Sequence, residues 1–486
     1  MAANGRLIRK RREELERASD YRSWHAIALD LDRLEGADEW KQNDEDGGFD
    51  HLLIRERLSQ MRELRRAGDV RQLVFVLHEG LHGNLGNIAN PALYTVARVG
   101  TKALIEQYVE EVARCLDYIC VGDFPDFSED EKILFFKRTG SVFGRSALML
   151  SGGATLGLFH LGVLKALWQQ DLLPRVLSGS SAGSIIAAMA ATRTDSELPA
   201  LFSADALSLQ AFQNVSLRAA IRSGAVMDSA ALEKCLAANI GADTFTEAFE
   251  RTRRIIGVTV SPAELHQQGR LLNYLTAPNI LIRRAVLASC AVPGIFPPVM
   301  LEARDFKGCT VPYLPSKRWV DGTLSSDLPM LRLARLHNVN HYIVSQTNPH
   351  VVPFLTDALP KTGVLPFATE LVASSGRNAL KLARKHFDVA APVIGKLYGV
   401  VRQKYSGDVN IFPRHSPQML MRMFANPSLD DIKRFIRDGE RATWPKIERI
   451  RNQTRISRTF ESCLAWLKER QREVRHVRPP KLRAVS

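Results

Sequence analysis

The sequence predicts an α/β fold for the middle of the chain, with helical regions on either side. From about residue 146, short apolar stretches such as ALMLS, RVLSG and RIIGVTVS alternate with helical patterns, as in a sheet covered by helices. Before residue 122, and again after about residue 350, apolar residues recur three and four positions apart, which is typical of amphipathic helices. A chain of 486 residues, 45% of them hydrophobic, can bury more than one such core.

These patterns divide the chain into four parts. We expect a helical N-terminal region over residues 1–122 and a linker over residues 123–145, where the acidic stretch GDFPDFSEDEK interrupts the helical pattern. The α/β domain is expected over residues 146–350, because the periodicity changes there to short strands. A helical C-terminal region with a basic tail is expected over residues 351–486.

Charge limits the classes of partner. The net charge is +14 and much of it lies at the two ends of the chain, which is typical either of a protein with an anionic partner, nucleic acid or an anionic lipid surface, or of two solvated tails. No zinc-knuckle, RNP or helix-turn-helix signature is present, so no nucleic acid is expected. The basic segment 377–404 carries interspersed apolar residues, which is typical either of a helix at a lipid interface or of a packed helix with a solvated face.

Cysteine usage and the absence of targeting signals predict the compartment. The six cysteines are scattered without disulfide-framework or CxxC spacing, as is usual for reduced thiols. The N-terminus has a basic run without an apolar core behind it, and no stretch of about 18 apolar residues occurs, so neither a secretory signal nor a transmembrane segment is expected. We therefore expect a cytoplasmic protein, soluble or peripherally associated with a membrane, whose oligomeric state stays open.

The stretch LMLSGGATLGLFHLGVLKAL, residues 148–167, reads as a strand, a glycine-rich turn and a helix. A dinucleotide site needs G-x-G-x-x-G, and a P-loop needs Lys followed by Ser or Thr after its last glycine; neither spacing is present. The glycines still allow backbone N–H groups to point into a cavity at a helix N-terminus, where an oxyanion can bind. The turn is therefore a candidate oxyanion hole.

The next strand ends in GSSAG, a G-x-S-x-G between a strand and a helix. This is the context of a nucleophile elbow, a sharp turn that lifts the serine hydroxyl to the edge of the sheet. Ser181 is the candidate nucleophile, and Gly179 and Gly183 flank it because the turn crowds any side chain. The alternative is a tight helix N-cap in an ordinary α/β protein.

A nucleophilic serine needs a base. An α/β-hydrolase triad would supply a late histidine, and His350 is the nearest candidate, although no histidine clearly occupies a loop after a strand. The run RWVDGTLSSDLPM instead places Asp321 at a strand end, from where its carboxylate could reach Ser181 directly as a general base. Partial burial would raise the pKa of that carboxyl, which suits the role. A common turn aspartate before glycine is the alternative.

Three elements in this order, GGATLG, GSSAG and DGT, resemble the patatin-like phospholipase domain. The resemblance implies a three-layer α/β/α hydrolase core, with Ser181 as the nucleophile and Asp321 as the base. It also implies that the backbone N–H groups of Gly152, Gly153 and Ala154 form the oxyanion hole. Each such donor is worth roughly 10²–10³ in rate.

Further stretches, among them LHGNLGNIANPALY and GERATWPKI, resemble the triacylglycerol lipase branch of that family, which has a helical N-terminal region. The resemblance covers roughly residues 20–450. Two positions depart from the family pattern: Leu156 stands where many members have Arg or Lys, and Ala154 where glycine is usual. These departures argue against a lipid phosphate bound by the side chains of this loop, and they favour neutral glycerides.

The sequence thus predicts a serine lipid-acyl hydrolase that releases fatty acids from acylglycerols or phospholipids through a Ser–Asp dyad and an acyl-enzyme. The expected partner is a lipid substrate at a membrane or lipid-droplet surface, without cofactor or metal. One alternative is a non-catalytic lipid-binding scaffold of the same fold. Another is a zinc peptidase at HEGLH, where His78, Glu79 and His82 have the required spacing. Gly80 and Gly83 disfavour the regular helix that such a zinc site needs.

Overall fold

The computed structural model describes residues 2–45, 48–207, 227–264, 267–323, 327–348, 406–413 and 425–477. The chain forms two compact units. Met1–Arg145 and Trp444–Ser486 make up one, here called the helical unit, and Ser146–Thr443 make up the other, here called the sheet unit. His350 and the basic segment 377–404 lie outside the described residues, and so does the basic tail from residue 478 onward.

Within the described ranges the chain forms sixteen α-helices and nine β-strands. The helices are α1 (Ala2–Arg17), α2 (Tyr21–Leu34), α3 (Ala37–Gln42), α4 (His51–Ala67), α5 (Val70–Gly80), α6 (Ala103–Val121), α7 (Glu129–Phe143), α8 (Phe159–Gln169), α9 (Ala182–Ala191), α10 (Leu198–Leu201), α11 (Ser229–Ile240), α12 (Phe245–Thr252), α13 (Ile282–Ser289), α14 (Met330–His337), α15 (Leu429–Thr443) and α16 (Ile447–Val477). The strands are β1 (Arg145–Leu150), β2 (Val176–Gly179), β3 (Ile255–Pro262), β4 (Arg270–Leu272), β5 (Leu301–Arg304), β6 (Thr310–Tyr313), β7 (Trp319–Asp321), β8 (Val339–Ser345) and β9 (Val409–Ile411). Among these helices, none is both long enough and apolar enough to cross a bilayer.

The helical unit is built around α6, which buries apolar residues at helical spacing. Ile105, Val112 and Leu116 of this helix are fully buried, and α4 and α16 pack against it. On α16, the ring of Phe460 lies 5.9 Å from the ring of Phe136 on α7, centroid to centroid. Helices from both ends of the chain therefore share one hydrophobic core.

The segment expected as a linker, 123–145, holds helix α7 in the structure. A capping box starts this helix, because the Ser128 side chain accepts from the Glu131 N–H while the Glu131 side chain accepts from the Ser128 N–H. Three of the five acidic residues that suggested a linker occupy the first helical turn, where negative charge is favourable beside the helix dipole. Phe135 and Phe136 lie in the core, so the segment is part of the folded helical unit.

In its described residues, the sheet unit contains a seven-stranded mixed sheet in the order β4-β3-β2-β1-β8-β9, with β7 also paired to β3. Strands β1, β2 and β3 run parallel, whereas β4 and β7 run antiparallel to β3. Every residue of β2 and β3 is buried, as expected for strands covered on both faces. Helices pack on the sheet, and the predicted α/β class is confirmed.

The sheet unit continues beyond residue 350, where the sequence analysis placed its end. Strand β9 pairs in parallel with β8, with Val409 opposite Ile343, and α15 packs against α8. The Thr155 hydroxyl donates to the backbone O of Ala425 (2.9 Å), so this late segment contacts the glycine-rich turn. A three-residue strand carries too little periodicity to be found in a sequence, which explains the difference.

Helices α8 and α15 cross with their backbones in contact. A Cβ atom at Gly162 would lie 1.9 Å from the carbonyl O of Ile436, and one at Gly439 would lie 2.2 Å from that of Phe159. Because both close atoms belong to the backbone, neither can rotate away. The two glycines therefore let α15 lie directly on the helix that follows the glycine-rich turn.

Replacing Gly162 with alanine is expected to destabilise the sheet unit by about 1–3 kcal/mol or more, because α8 and α15 must separate to admit the methyl group. Thermal unfolding followed by circular dichroism should show a melting temperature several degrees lower. Gly5→Ala in α1 is the matched control, since a Cβ there meets nothing within 4 Å. Equal melting temperatures for the two variants would contradict the close crossing.

Candidate active site

The glycine-rich turn follows β1 and continues into a short 3₁₀ turn, Ala154–Leu158. Ala154 has a φ of 50°, a left-handed conformation that costs a residue with a Cβ roughly 1–2 kcal/mol. The backbone N–H groups of Gly153 and Ala154 have no acceptor among the described residues. Two adjacent amides are thus available at the start of this turn, beside a pocket that Ala154 lines.

The N–H of Gly152, which was expected to be a third oxyanion donor, is already used in a hydrogen bond within the protein. Its N–H donates to Oδ1 of Asp327 (3.1 Å). Its carbonyl O accepts from the hydroxyls of Thr347 and Ser151, each at 2.9 Å. The Gly152 amide therefore already has an acceptor within the protein, and the turn offers Gly153 and Ala154 as the candidate oxyanion donors.

Ser181 lies between β2 and α9, at φ 50° and ψ −127°. The turn is crowded: a Cβ at Gly179 would lie 2.4 Å from the carbonyl carbon of Gly183, and one at Gly183 would lie 2.2 Å from the carbonyl O of Leu150. The Ser181 N–H donates to the Ser289 hydroxyl (3.0 Å), which fixes the backbone of the turn. The side chain is partly exposed in a pocket, as the nucleophile of a hydrolase requires.

Asp321 ends β7, where it lies opposite Val260 of β3. The carboxylate is buried, and its Oδ1 accepts from the Thr323 N–H (2.8 Å). Burial raises the pKa of Asp321 to about 6, an effect that the hydrogen bond from Thr323 and the interaction with the Ser181 side chain partly offset. Oδ2 is buried and has no hydrogen-bond partner among the described residues. The structure therefore brings Ser181 together with a carboxylate that has one unused acceptor.

A second buried carboxylate, Asp327, was not singled out from the sequence. Its Oδ1 binds the Gly152 N–H, and its Oδ2 accepts from the side-chain amide of Asn348 (2.6 Å). Burial raises the pKa of Asp327 to about 7; the bond from Gly152 opposes that rise and the charge of Asp321 adds to it. The only sequence signal was a second aspartate in the same run, DGTLSSDLPM.

His160, on α8 directly after the turn, is fully buried. Its Nδ1 shares a hydrogen bond with the Ser345 hydroxyl (2.7 Å), and its Nε2 lies 3.0 Å from the backbone O of Ser151. Burial lowers the pKa of this imidazole to about 4, so the ring is neutral at physiological pH. With both nitrogens engaged, His160 ties β1 to β8 and does not face Ser181 as a base.

An apolar pocket, partly open to solvent, lies in front of Ser181. Its walls come from the turn, from α9 and α11, and from the segments that follow α13 and precede α15. Burial and the charge of nearby Asp321 raise the pKa of the Cys290 thiol in this wall. The lining residues are Ala154, Thr155, Gly157, Leu158, Ser181, Ala182, Ile185, Ile186, Leu232, Cys235, Cys290, Val292, Phe296 and Pro427.

The HEGLH stretch does not form the helix of a zinc peptidase. Helix α5 ends at Gly80, so His82 lies beyond it. The Nδ1 atom of His78 hydrogen-bonds the Thr139 hydroxyl (2.7 Å). In the part of the chain that the structure describes, no three potential ligand side chains cluster as a metal site would require.

Comparison with known protein families identifies two regions. Residues 148–334 match the family described as "Patatin-like phospholipase". Residues 2–141 match the family described as "Domain of unknown function (DUF3336)". The first match contains Ser181 and Asp321, and the second covers most of the described helices of the helical unit.

Several curated proteins are similar over most of the chain. Triacylglycerol lipase ptl3 of Schizosaccharomyces pombe is 35% identical over 478 residues, covering 95% of this chain and 98% of the relative. Triacylglycerol lipase 4 of Saccharomyces cerevisiae is 36% identical, covering 96% of this chain, and triacylglycerol lipase SDP1L of Arabidopsis thaliana is 35% identical, covering 95%. The chain spans only 54% and 59% of the lengths of these last two relatives.

Among solved structures, the crystal structure of VipD from Legionella pneumophila aligns with a TM-score of 0.28 and 15% identity. That alignment covers 60% of this chain and 66% of the other, and it is too distant to inform the site. The end-to-end match to the Schizosaccharomyces pombe relative, together with the matched patatin region, confirms the resemblance found in the sequence. The chain belongs to the patatin-like phospholipase family, in the branch that contains triacylglycerol lipases.

Proposed function

We propose that the protein hydrolyses lipid acyl esters with Ser181 as the nucleophile and Asp321 as the general base. The observation that carries this proposal is the placement of Ser181, on a strained turn between an apolar pocket and a buried carboxylate with one unused oxygen. We assign the chemistry to the sheet unit, Ser146–Thr443, which contains every one of these residues.

In the proposed reaction, Oδ2 of Asp321 takes the hydroxyl proton as Oγ of Ser181 attacks the ester carbonyl. The N–H groups of Gly153 and Ala154 stabilise the oxyanion of the tetrahedral intermediate. The intermediate collapses to an acyl-enzyme, and Asp321 returns the proton to the departing alcohol. Water, deprotonated by the same carboxylate, then attacks the acyl-enzyme and releases the fatty acid and free Ser181. No step calls for a metal or a cofactor.

The raised pKa of Asp321 fits this role. A carboxylate with an ordinary pKa near 4 is too weak a base to accept a serine proton efficiently, and burial moves the pKa to about 6. The carboxyl is still largely ionised at neutral pH. Burial therefore supplies a stronger base without leaving it protonated.

The pocket favours neutral glycerides as substrates. None of the described residues that line it is charged, and Leu156, at the position where a cation would meet a lipid phosphate, is itself buried. A long acyl chain would gain roughly 0.8 kcal/mol for each methylene that it buries against these walls. Three relatives over most of the chain carry the name triacylglycerol lipase, which supports the same substrate class.

Fatty-acid release from a panel of pure lipids tests this substrate class. We expect the purified protein to release more fatty acid from triacylglycerol and diacylglycerol emulsions than from phosphatidylcholine or lysophosphatidylcholine. The Ser181→Ala variant serves as the blank for each lipid. If the phospholipids are hydrolysed faster, the substrate class is phospholipids and not neutral glycerides. The assignment as a hydrolase would stand in that case.

We further propose that the protein works in the cytoplasm at the surface of a membrane or lipid droplet. The hairpin formed by β5 and β6 supports this, because Phe306 at its tip is fully exposed and Lys307 beside it is exposed as well. The tip is held in shape: the Asp305 carboxylate accepts from the N–H groups of Lys307 and Cys309, at 2.9 and 2.8 Å. A rigid aromatic tip with a lysine suits insertion among lipid headgroups.

Replacing Phe306 with serine is expected to weaken binding to vesicles about tenfold or more, since burying a phenylalanine contributes about 1.5–3 kcal/mol. Co-sedimentation with vesicles of phosphatidylcholine and phosphatidylserine measures this. Because the chain carries a net charge of +14, binding should also fall as salt rises. Phe75→Ser is the matched control, an exposed phenylalanine on α5 of the helical unit. If the two variants bind the vesicles equally well, the hairpin is not part of the surface that contacts the lipid.

A further inference from the structure

Both the N–H and the carbonyl O of Gly152 form hydrogen bonds with buried side chains that the proposed reaction does not use. Asp327 accepts the Gly152 N–H (3.1 Å), and Thr347 donates its hydroxyl to the Gly152 carbonyl O (2.9 Å). Ser151 donates to the same carbonyl O (2.9 Å) and accepts from the Thr347 N–H (2.8 Å). Every hydrogen-bonding group of one glycine is therefore fixed, in a turn where glycines alone would allow many conformations.

Holding the Gly152 carbonyl determines where the next amide points. The peptide unit between Gly152 and Gly153 is planar, and in its trans form the N–H lies opposite the C=O. With the carbonyl directed at the Thr347 hydroxyl, the Gly153 N–H is directed to the other side of the chain. That N–H is one of the two amides without an acceptor among the described residues.

Asp327 connects this turn to the other parts of the site. Its Oδ2 accepts from Asn348, which follows β8, and its backbone O accepts from the Ser180 hydroxyl in the elbow (2.8 Å). The side chain is 1% exposed, so the protein keeps a carboxyl group away from water at this point. A buried carboxylate whose two oxygens each accept a hydrogen bond from a different segment fixes their relative positions.

We propose that Asp327 and Thr347 are positioning residues of the hydrolase reaction, which hold Gly152 so that the amide of Gly153 faces the oxyanion beside the amide of Ala154. This inference rests on the proposed function, because it assigns the turn to the oxyanion. Neither side chain touches the substrate. Their effect on rate comes from alignment: a donor displaced by about 1 Å can cost about 10²-fold, and a lost oxyanion donor costs roughly 10²–10³.

The test compares variants that remove the hydrogen bonds but keep the number and branching of the side-chain heavy atoms. Asp327→Leu leaves the Gly152 N–H without its acceptor, and we expect kcat on a short-chain nitrophenyl ester to fall about 10²-fold. Thr347→Val removes one of two donors to the Gly152 carbonyl, and we expect a fall of about tenfold. KM should stay within about twofold in both, because neither residue lines the pocket. Rates are expressed per active site, titrated to completion with a fluorophosphonate, so that misfolded molecules do not count.

Asp327→Asn is the conservative variant. Its amide oxygen can accept the Gly152 N–H, and its NH₂ group can donate to Asn348 once that amide rotates, so kcat should recover at least tenfold relative to Asp327→Leu. A purely structural role would lower the number of titratable sites and leave kcat per site unchanged. The inference is overturned if the kcat per site of Asp327→Leu lies within threefold of the wild-type value. It is also overturned if Asp327→Asn is as slow as Asp327→Leu.

Two further outcomes keep the test decisive. If Asp327→Leu does not fold, Thr347→Val takes its place, and an unchanged kcat per site in that variant overturns the inference. If the wild-type protein itself neither hydrolyses the ester nor reacts with the fluorophosphonate at Ser181, the proposed function fails, and the inference fails with it. An active wild-type protein with unaffected variants refutes only the positioning role.

Discussion

Replacing Ser181 with alanine is expected to lower kcat on a short-chain nitrophenyl ester by on the order of 10⁴- to 10⁶-fold while the protein stays folded. In the proposed reaction the Ser181 hydroxyl oxygen bonds to the acyl group. The other hydroxyl and thiol groups that line the pocket are poorly suited to replace it, because Thr155 donates its hydroxyl to the backbone O of Ala425 and burial raises the pKa of the Cys235 and Cys290 thiols. The fold should tolerate the change, because alanine fits the crowded elbow as well as serine does. Kinetics, fluorophosphonate labelling and circular dichroism of the same preparation measure the three parts of this result.

Ser180→Ala is the matched control for that variant. The neighbouring serine is fully buried, and its hydroxyl donates to the backbone O of Asp327, so it faces away from the substrate. Labelling should persist in Ser180→Ala and vanish in Ser181→Ala. A label that maps to Ser180 would refute the assignment of the nucleophile. A wild-type protein that binds lipid but neither labels nor turns over would favour the non-catalytic scaffold.

Replacing Asp321 with asparagine is expected to cost nearly as much as losing Ser181, at least about 10³-fold in kcat. An amide has almost the shape of the carboxylate, so the Thr323 N–H keeps an acceptor and the fold should persist. The amide cannot take the serine proton. Steady-state kinetics on the same ester, with folding checked by circular dichroism, give the measurement.

The same carboxylate predicts the pH dependence of the wild-type enzyme. The base must be ionised to accept a proton, and burial places its pKa at about 6. Activity should therefore be full above about pH 7 and fall as pH drops through 6, approaching tenfold for each further unit. A profile that stays flat down to pH 4.5 would show that the carboxyl which limits activity has an ordinary pKa.

His160→Gln separates a dyad from a triad. Both ring nitrogens of His160 already have partners in the protein, so this change should loosen the contact between β1 and β8 and cost only a few-fold. His350→Gln is the second variant, because the sequence places a late histidine there. If either histidine variant is as inactive as Ser181→Ala while Asp321→Asn retains most of its activity, the catalytic group is a triad and not a dyad.

Apart from the pairing of Asp321 with Ser181, which the resemblance to a known family supported, the features that the sequence predicted are those whose residues lie close together along the chain. A strand, a glycine-rich turn and a helix occupy twenty consecutive residues, and the elbow around Ser181 occupies five. The physical requirements act locally there, because the turn crowds its own neighbours: Gly179 meets Gly183 and Gly183 meets Leu150. Such requirements leave a pattern that can be read without a structure.

The features that the sequence did not reveal depend on long-range pairing. Asp327, Thr347 and Asn348 reach the turn only because β1, β7 and β8 belong to one sheet, and each is an ordinary polar residue in its own surroundings. The engaged amide of Gly152 is a consequence of the same pairing. Helix α7 in the segment 123–145 was ambiguous in the sequence for a different reason, since acidic residues are common both in linkers and in the first turn of a helix.

The two-part composition of the helical unit has a consequence for biosynthesis. Phe136 and Phe460 share one core, yet roughly 300 residues of the sheet unit are translated between them. At a synthesis rate of roughly 5–20 residues per second, helices α1 to α7 wait about 15–60 s for α16 to leave the ribosome. During that interval their apolar faces lack the partner that later covers them, and exposed apolar surface of this kind favours aggregation. A frameshift or stop within α16 would consequently damage the first helices made, although their own codons are intact.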